Sequence, residues 1–181
     1  MPVIYLVLGF KRSLVTSFIA GLATFFCVGS AVAQYPDRPI KVIVPFAWWL
    51  TRGTKEQHQA RAQKGEIGVW FAPEDDVLAH AEAISASLKV WPILAVDFPI
   101  FRDGRGYSTA ALLRERFSWD GELRAIGDVL IDQLLPLARV GFDSFAMRND
   151  QNSETALAQF NSVAYVFQND WRRERSQKQV G

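Results

Sequence analysis

The fold class is indicated first by residues 93–98, which read Ile93-Leu94-Ala95-Val96-Asp97-Phe98. A short apolar run of this kind, followed by Pro99, predicts a buried β-strand. A loop through Gly106 comes next, and Ser108 is a suitable N-cap for a helix through Phe117, because its hydroxyl can accept a hydrogen bond from the first helical turn. The segment is therefore predicted to be one strand-then-helix unit.

Three further units of the same kind are predicted on either side. Their strands are Ile67–Phe71, Leu123–Gly127 and Phe145–Met147, and their helices are one with Leu78, Ala81, Ile84 and Leu88 on its apolar face, one from Asp128 to Val140 stopped by Gly141, and one capped by Ser153 and continuing through Ala164. Pro136 inside the third helix predicts a kink. Four alternating units predict an α/β fold with a parallel sheet, either open or shaped like half of a barrel. Such a sheet leaves edge strands unpaired, so self-association or a partner chain is expected.

Composition excludes several classes of function. Lys and Arg number 20 against 19 Asp and Glu, so no net field favours nucleic acid, and nucleic acid is not expected as a partner. The chain has a single cysteine, Cys27, and two histidines, His58 and His80. These are too few to build an iron–sulfur cluster, a Cys/His zinc site or a disulfide within one chain, so no metal site is predicted.

The beginning of the chain differs in character from the predicted α/β domain. Residues 1–33 have the layout of a secretory signal, with Lys11 and Arg12 ahead of the apolar run Leu14–Val28. Small residues, Ala31-Val32-Ala33, stand at the end of this segment, where a signal peptidase would cut. This signal-like segment predicts export.

The segment that follows residue 33 has a distinctive sequence of its own. Residues 34–47 read Gln34-Tyr35-Pro36-Asp37-Arg38-Pro39-Ile40-Lys41-Val42-Ile43-Val44-Pro45-Phe46-Ala47. They resemble the mature N-terminus of tricarboxylate-type extracytoplasmic solute receptors, in which this segment is the first strand. Trp48-Trp49-Leu50 stands where those receptors have a glycine-rich ligand loop.

Residues 51–66 are polar and lack apolar periodicity, which is typical of a linker or a surface loop. The α/β domain is therefore predicted to span residues 67–167, and everything before it is expected to be dispensable for its folding. A disordered tail is predicted over residues 168–181.

Four segments of the predicted domain carry a family resemblance: Leu94–Ser108, Leu112–Arg116, Gly121–Gln133 and Gly141–Asp143. In order and spacing they resemble an uncharacterised bacterial family labelled as an oxidoreductase of sulfite reduction. The resemblance implies an accessory role in assimilatory sulfite reduction in the cytoplasm, with sulfite reductase or another sulfate-assimilation enzyme as the partner. It carries over no catalytic residue, and the cytoplasmic setting that it implies conflicts with the export predicted from the signal-like segment.

Candidate site residues follow the predicted strands, because ligands of parallel α/β sheets bind at the carboxyl ends of the strands. The candidates for catalysis are Asp97 and Asp128, since paired carboxylates with nearby arginines suit acid/base work. For Asp128 the alternative is helix capping, because it stands at a predicted helix start. The candidates for anion binding are Arg102, Arg105 and Arg148.

The loop around Arg105 is the most specific of these signals. Gly104 and Gly106 let the backbone approach sulfite, phosphate or a carboxylate closely, and the alternative is a plain turn with surface charges. The dinucleotide fingerprint Gly-x-Gly-x-x-Gly is incomplete, because Thr109 occupies its last glycine position. No cofactor motif is encoded, so an enzyme would need a borrowed cofactor, and a flavin at the strand ends is one candidate.

Three functions stay open at this point. The first is an accessory protein of assimilatory sulfite reduction, labelled an oxidoreductase, that binds an anion or the reductase. The second is a non-catalytic adaptor of sulfite reductase. The third is a fragment of a periplasmic solute-binding receptor.

Overall fold

The computed structural model describes residues 4–7 and 42–160. In chain order the elements are β1 (Ile4–Val7), β2 (Val42–Pro45), α1 (Phe46–Trp48) continuing as a π-helical turn (Trp49–Gly53), α2 (Glu56–Gln63), β3 (Ile67–Phe71), α3 (Ala81–Ser87), β4 (Ile93–Phe98), α4 (Arg105–Glu115), β5 (Glu122–Gly127), a 3₁₀ turn (Ile131–Gln133), α5 (Leu134–Arg139), β6 (Ser144–Met147) and α6 (Ser153–Gln159). The predicted α/β class is confirmed.

The strands form one six-stranded sheet in the order β1-β6-β5-β4-β3-β2. Strands β2 to β6 are parallel, and their order in space follows the chain. Strand β1 lies antiparallel to β6 at one edge. Right-handed crossovers between strands in sequential order place the connecting helices on one face of the sheet. The predicted parallel sheet is therefore confirmed, and it gains β2 as a further parallel strand.

The main core lies between this helix layer and the sheet. Along β4, Leu94, Val96 and Phe98 are buried in the same cluster as Ile84 of α3 and Leu113 of α4. Because side chains alternate along a strand, the remaining residues of β4 point to the opposite face of the sheet. That opposite face of the sheet forms the wall of a cleft.

The sheet is curved rather than flat. Ile43 of β2 and Ala146 of β6 line one cleft, although the two strands are four interstrand steps apart. In a flat sheet that separation would be about 19 Å. The curvature agrees with the half-barrel form of the prediction, with the cleft on the concave face.

Residues 42–66, which precede β3 and are called the flank, belong to the folded domain. Val42 lies opposite Ile67 in the parallel pairing of β2 with β3. Phe46 and Trp49 are buried in the core, and the indole Nε1 of Trp49 donates a 3.1 Å hydrogen bond to the hydroxyl of Ser87. The receptor-like residues from 42 onward are therefore packed against the α/β domain.

The interpretation of residues 51–66 as a linker or a surface loop is wrong, because they contain the end of the π-helical turn and all of α2. Helix α2 shows no apolar periodicity, because Ala62 is its buried residue and its other residues, apart from Ala60, are polar. A helix that buries one small side chain has no apolar stripe to recognise.

Two helix starts differ from the prediction. Helix α4 begins at Arg105, ahead of Ser108, because the carboxylate of Asp103 accepts the backbone N–H of Arg105 at 3.1 Å. Helix α6 is capped by Asn152 and not by Ser153, since the Asn152 side chain accepts two backbone N–H groups of the first turn.

Helix α3 is shorter than predicted. It begins at Ala81, and Leu78, which was expected on its apolar face, lies before it and is exposed. The carboxylate of Asp76 accepts the backbone N–H groups of Leu78 and Ala79 and forms a turn there.

The third predicted helix is split. It does not begin at Asp128, and the α-helical part starts only at Leu134. Pro136 therefore lies in the first turn of α5, where its missing N–H costs no helical hydrogen bond, and the predicted interior kink is wrong. The stop at Gly141 is confirmed, because this glycine has a φ of 112° and closes the helix with a hydrogen bond to Ala138.

A buried arginine ties the amino ends of β5 and β6 to α4. The side chain of Arg114 is fully buried and donates to the carbonyls of Gly141 at 2.7 and 2.9 Å, Trp119 at 2.6 Å and Gly121 at 2.9 Å. It also pairs with the carboxylate of Asp143. Three of the four segments that carry the family resemblance meet at this arginine.

Several predictions fall outside the described residues. They concern most of the signal-like segment, the first part of the receptor-like segment, the predicted continuation of the last helix to Ala164 and the tail over residues 168–181. Among the helices of residues 42–160, none combines the length and the apolar character that crossing a membrane requires.

Candidate functional site

The carboxyl ends of β4 and β5 approach each other closely. Gly127, the last residue of β5, has a φ of 92°, and a Cβ atom there would lie 2.6 Å from the Oδ1 atom of Asp97. The next residue, Asp128, donates its backbone N–H to the carbonyl of Phe98 at 2.6 Å. Glycine is required at this position by its backbone conformation and by the backbone carbonyl of Phe98, which lies even closer to the place of a Cβ atom.

Asp97 lies half-buried on this edge. Burial raises its pKa most, the negative charge of Glu74 raises it further, and the backbone N–H of Phe98 lowers it. Within residues 42–160 no ion pair involves Asp97. A carboxylate without a cationic partner can take up or release a proton at a higher pH than usual, as acid/base work requires.

Asp97→Asn is expected to stabilise the protein near neutral pH. The folded state binds the Asp97 proton more tightly than the unfolded chain does, so this carboxyl lowers stability progressively as the pH rises above its ordinary pKa of 3.8. Below that value the effect disappears. Thermal unfolding from acid to neutral pH should show a difference between mutant and wild type that opens as the pH rises. The exposed Asp132→Asn is the control, and a difference that is constant with pH would contradict the expectation.

Asp128 does not cap a helix. Its Oδ2 atom accepts the backbone N–H of Phe101 at 3.0 Å, and its Oδ1 atom accepts Arg148 at 3.0 Å. The capping alternative is therefore wrong. Asp128 instead joins the loop after β4 to the residue that follows β6.

Arg148 is shared between two carboxylates. Its Nε and Nη2 atoms donate to Asp150 at 2.8 Å each, while Nη1 donates to Asp128. The hydrogen bonds from Arg148 and then from Gln151 lower the pKa of Asp150 to about 2. Arg148 is 47% exposed and Asp150 is 56% exposed, so this pair faces solvent.

The three predicted anion-binding arginines do not converge. Arg105 lies on the carboxylate of Asp103, with a shortest distance of 2.6 Å, and Arg102 lies over the ring of Phe101 at 5.8 Å. Of the three, only Arg148 lines the cleft on the concave face of the sheet.

This cleft, called here the Arg148 cleft, has a volume of about 370 Å³. It is lined by Ile43, Arg124, Ile126, Gly127, Ala146, Met147, Arg148 and Asn149. The charged residues in this lining are two arginines, and the lining contains no carboxylate. Its volume is within the usual range of small-ligand sites.

Arg124 is the site residue that sequence analysis missed. It is buried in β5 and donates to Glu122 at 2.7 Å and to the Ser144 hydroxyl at 3.2 Å. Burial raises the pKa of Glu122 most, and the Ser144 hydroxyl lowers it. A sequence signal did exist: Glu122, Arg124 and Ile126 share the concave face by strand alternation, although alternation alone suggests a solvated face.

Residues 42–160 contain no group of three or more His, Cys, Asp or Glu side chains placed to hold a metal ion. Two acidic residues near the carboxyl edge, Asp75 and Asp128, accept backbone N–H groups. Asp75 accepts the backbone N–H of Ala72 at 2.7 Å. Its pKa is raised mainly by burial and also by Glu74.

Comparison with known proteins gives one assignment. No curated protein and no solved structure matches the chain. A family model described as "Bacterial protein of unknown function (DUF934)" matches residues 68–177, which is more than half of the chain. The matched part begins in β3 and includes the carboxyl edge and Arg148. The chain therefore belongs to this bacterial family of unknown function.

Proposed function

We propose that this protein is an accessory protein of assimilatory sulfite reduction that binds an oxyanion, such as sulfite, in the Arg148 cleft. The observation that carries the proposal is the guanidinium of Arg148 in this cleft, two of whose nitrogens are occupied by the exposed carboxylate of Asp150. The pathway rests on the resemblance of the segments Leu94–Ser108 and Gly121–Gln133 to the family labelled for sulfite reduction.

Arg148 offers a fork for the anion. The Nε and Nη2 atoms that now donate to Asp150 have the geometry that also suits a sulfite or phosphate oxygen pair. Because Asp150 is exposed, its carboxylate can move into water when an oxyanion takes its place. Asp128 keeps the third nitrogen, Nη1, and so holds the guanidinium in position.

Two substitutions with opposite expected effects test this site. Arg148→Gln should weaken sulfite binding roughly ten-fold or more, because a charge-assisted pair of hydrogen bonds is lost. Asp150→Asn should strengthen it several-fold, because the internal competitor for the fork loses its charge. Calorimetric titration at low salt measures both. The matched control is Arg61→Gln, which removes an equally exposed arginine from the ion pair with Glu66. Equal affinities in all four proteins would contradict the proposal.

The adaptor function has its own supporting observation. The loop after β4 exposes Ile100 and Phe101, with Arg102 over the Phe101 ring. Both backbone groups of Phe101 are held, the N–H by Asp128 and the carbonyl by Gln133 at 2.5 Å. A fixed aromatic residue beside an arginine is a common interface anchor. If no anion binds and the purified protein still binds sulfite reductase, the adaptor is the correct function.

A further inference from the structure

We infer that the Arg148 cleft selects an organic anion, in which one oxyanion head is joined to an apolar body, over a bare inorganic ion. The inference rests on the proposed function, since it takes Arg148 as the residue that binds the head. It adds the class of ligand that fills the remainder of the cleft.

The cleft is larger than a bare inorganic ion requires. In liquid water each molecule occupies about 30 Å³. An ion of only a few atoms would fill a small part of a cleft of about 370 Å³ and leave the rest to water. A ligand that makes use of the whole space carries further atoms beyond its charged head.

Part of the wall of the cleft is apolar. The side chains of Ile43, Ile126 and Ala146 give the lining an apolar surface on this face of the sheet. They cannot form hydrogen bonds with a bare ion, whereas they can bury the apolar part of an organic ligand.

The two arginines of the lining lie at different positions in the sheet. Arg148 and Asn149 follow the end of β6, whereas Arg124 lies opposite the start of that strand and is held by Glu122 and Ser144. A head carrying phosphate, sulfonate or carboxylate oxygens satisfies the fork of Arg148, and its body lies along the isoleucines.

The apolar wall of the cleft combines a residue inside the family match with a residue that precedes it. Ile126 lies within the residues that match the family model, while Ile43 comes from β2, ahead of residue 68. The receptor-like flank therefore contributes directly to the ligand preference of this chain.

The test uses the full chain and probes of known structure. Benzenesulfonate, phenyl phosphate and benzoate present three heads on one body, sulfite lacks the body, and benzyl alcohol lacks the charge. Calorimetric titration should show the best aromatic anion binding roughly ten-fold more tightly than sulfite, because ring burial adds apolar contact area. Benzyl alcohol should bind more weakly than any of the three anions.

Substitutions in the apolar wall test the contribution of the ligand's apolar body separately from that of its charged head. Ile126→Ala and Ile43→Ala should each weaken the best aromatic anion about five-fold and leave sulfite unchanged. The control Val42→Ala alters an exposed residue of the same strand outside the cleft and should change neither ligand. Thermal unfolding of each variant shows whether it is folded.

The outcomes distinguish the two proposals. Equal affinity for sulfite and all aromatic anions overturns the inference and leaves the sulfite-binding proposal standing. Benzyl alcohol binding as tightly as benzenesulfonate also overturns it, because the head would then contribute nothing. No binding of any probe overturns both proposals.

Discussion

Arg114→Ala is expected to lower the free energy of unfolding by about 3–5 kcal/mol, the usual cost of breaking a buried ion pair by removing one partner. The substitution leaves the carboxylate of Asp143 without its cation. It also removes the donors to the carbonyls of Trp119, Gly121 and Gly141. A loss of this size is a large fraction of the stability of an ordinary domain, about 5–15 kcal/mol.

Urea unfolding followed by circular dichroism measures the effect of Arg114→Ala. Arg116→Ala is the matched control, because it removes the same charge from the end of the same helix at an exposed position. The control is expected to stay within about 0.5 kcal/mol of wild type. Equal unfolding midpoints for the two variants would show that the buried arginine does not hold the strand ends together.

A chain that begins at Gly65 is expected to lose its cooperative unfolding transition. The truncation removes β2, the neighbour of β3 in the sheet, and takes Phe46 and Trp49 out of the core. The newly exposed edge of β3 would present unpaired backbone groups next to the uncovered side chain of Phe71, whose ring lies 4.8 Å from that of Phe46. This expectation replaces the one drawn from sequence, in which everything before residue 67 was dispensable.

Phe46→Ala tests the same packing in the full-length chain. A buried phenylalanine replaced by alanine typically costs about 3–5 kcal/mol, from lost burial and the cavity that remains. Phe101→Ala is the control, since this phenylalanine is 43% exposed. If both the truncated chain and Phe46→Ala unfold at the wild-type midpoint, the flank is an appendage and the original expectation is correct.

The strands of the fold were the most predictable part. Ile67–Phe71 and Ile93–Phe98 were predicted with the bounds that the structure has, because continuous apolar runs mark strands covered on both faces. The start of α4 was not predictable from Ser108, because the carboxylate of Asp103 begins the helix earlier. Local hydrogen bonds of this kind compete with one another, and only geometry decides between them.

The candidate site was predicted in part. Placing Asp97, Asp128 and Arg148 at the carboxyl edge needed only strand order and the rule for parallel sheets. The partner of Asp128 is twenty residues away, and the contact of Trp49 with Ser87 spans thirty-eight. Such pairings depend on packing of distant segments, so a reading of local patterns could not anticipate them or the contribution of Arg124 to the cleft.

The sequential order of the sheet bears on how the chain assembles. Strands β2 to β6 each add beside the strand made just before them, so contacts form between segments close in sequence and the entropy lost in closing each loop is small. The sheet can therefore grow in the direction of synthesis, one strand-and-helix unit at a time. Strand β1 is the exception. Of the described strands it is made first and its partner β6 is made last, so the antiparallel edge can close only when the other described strands exist.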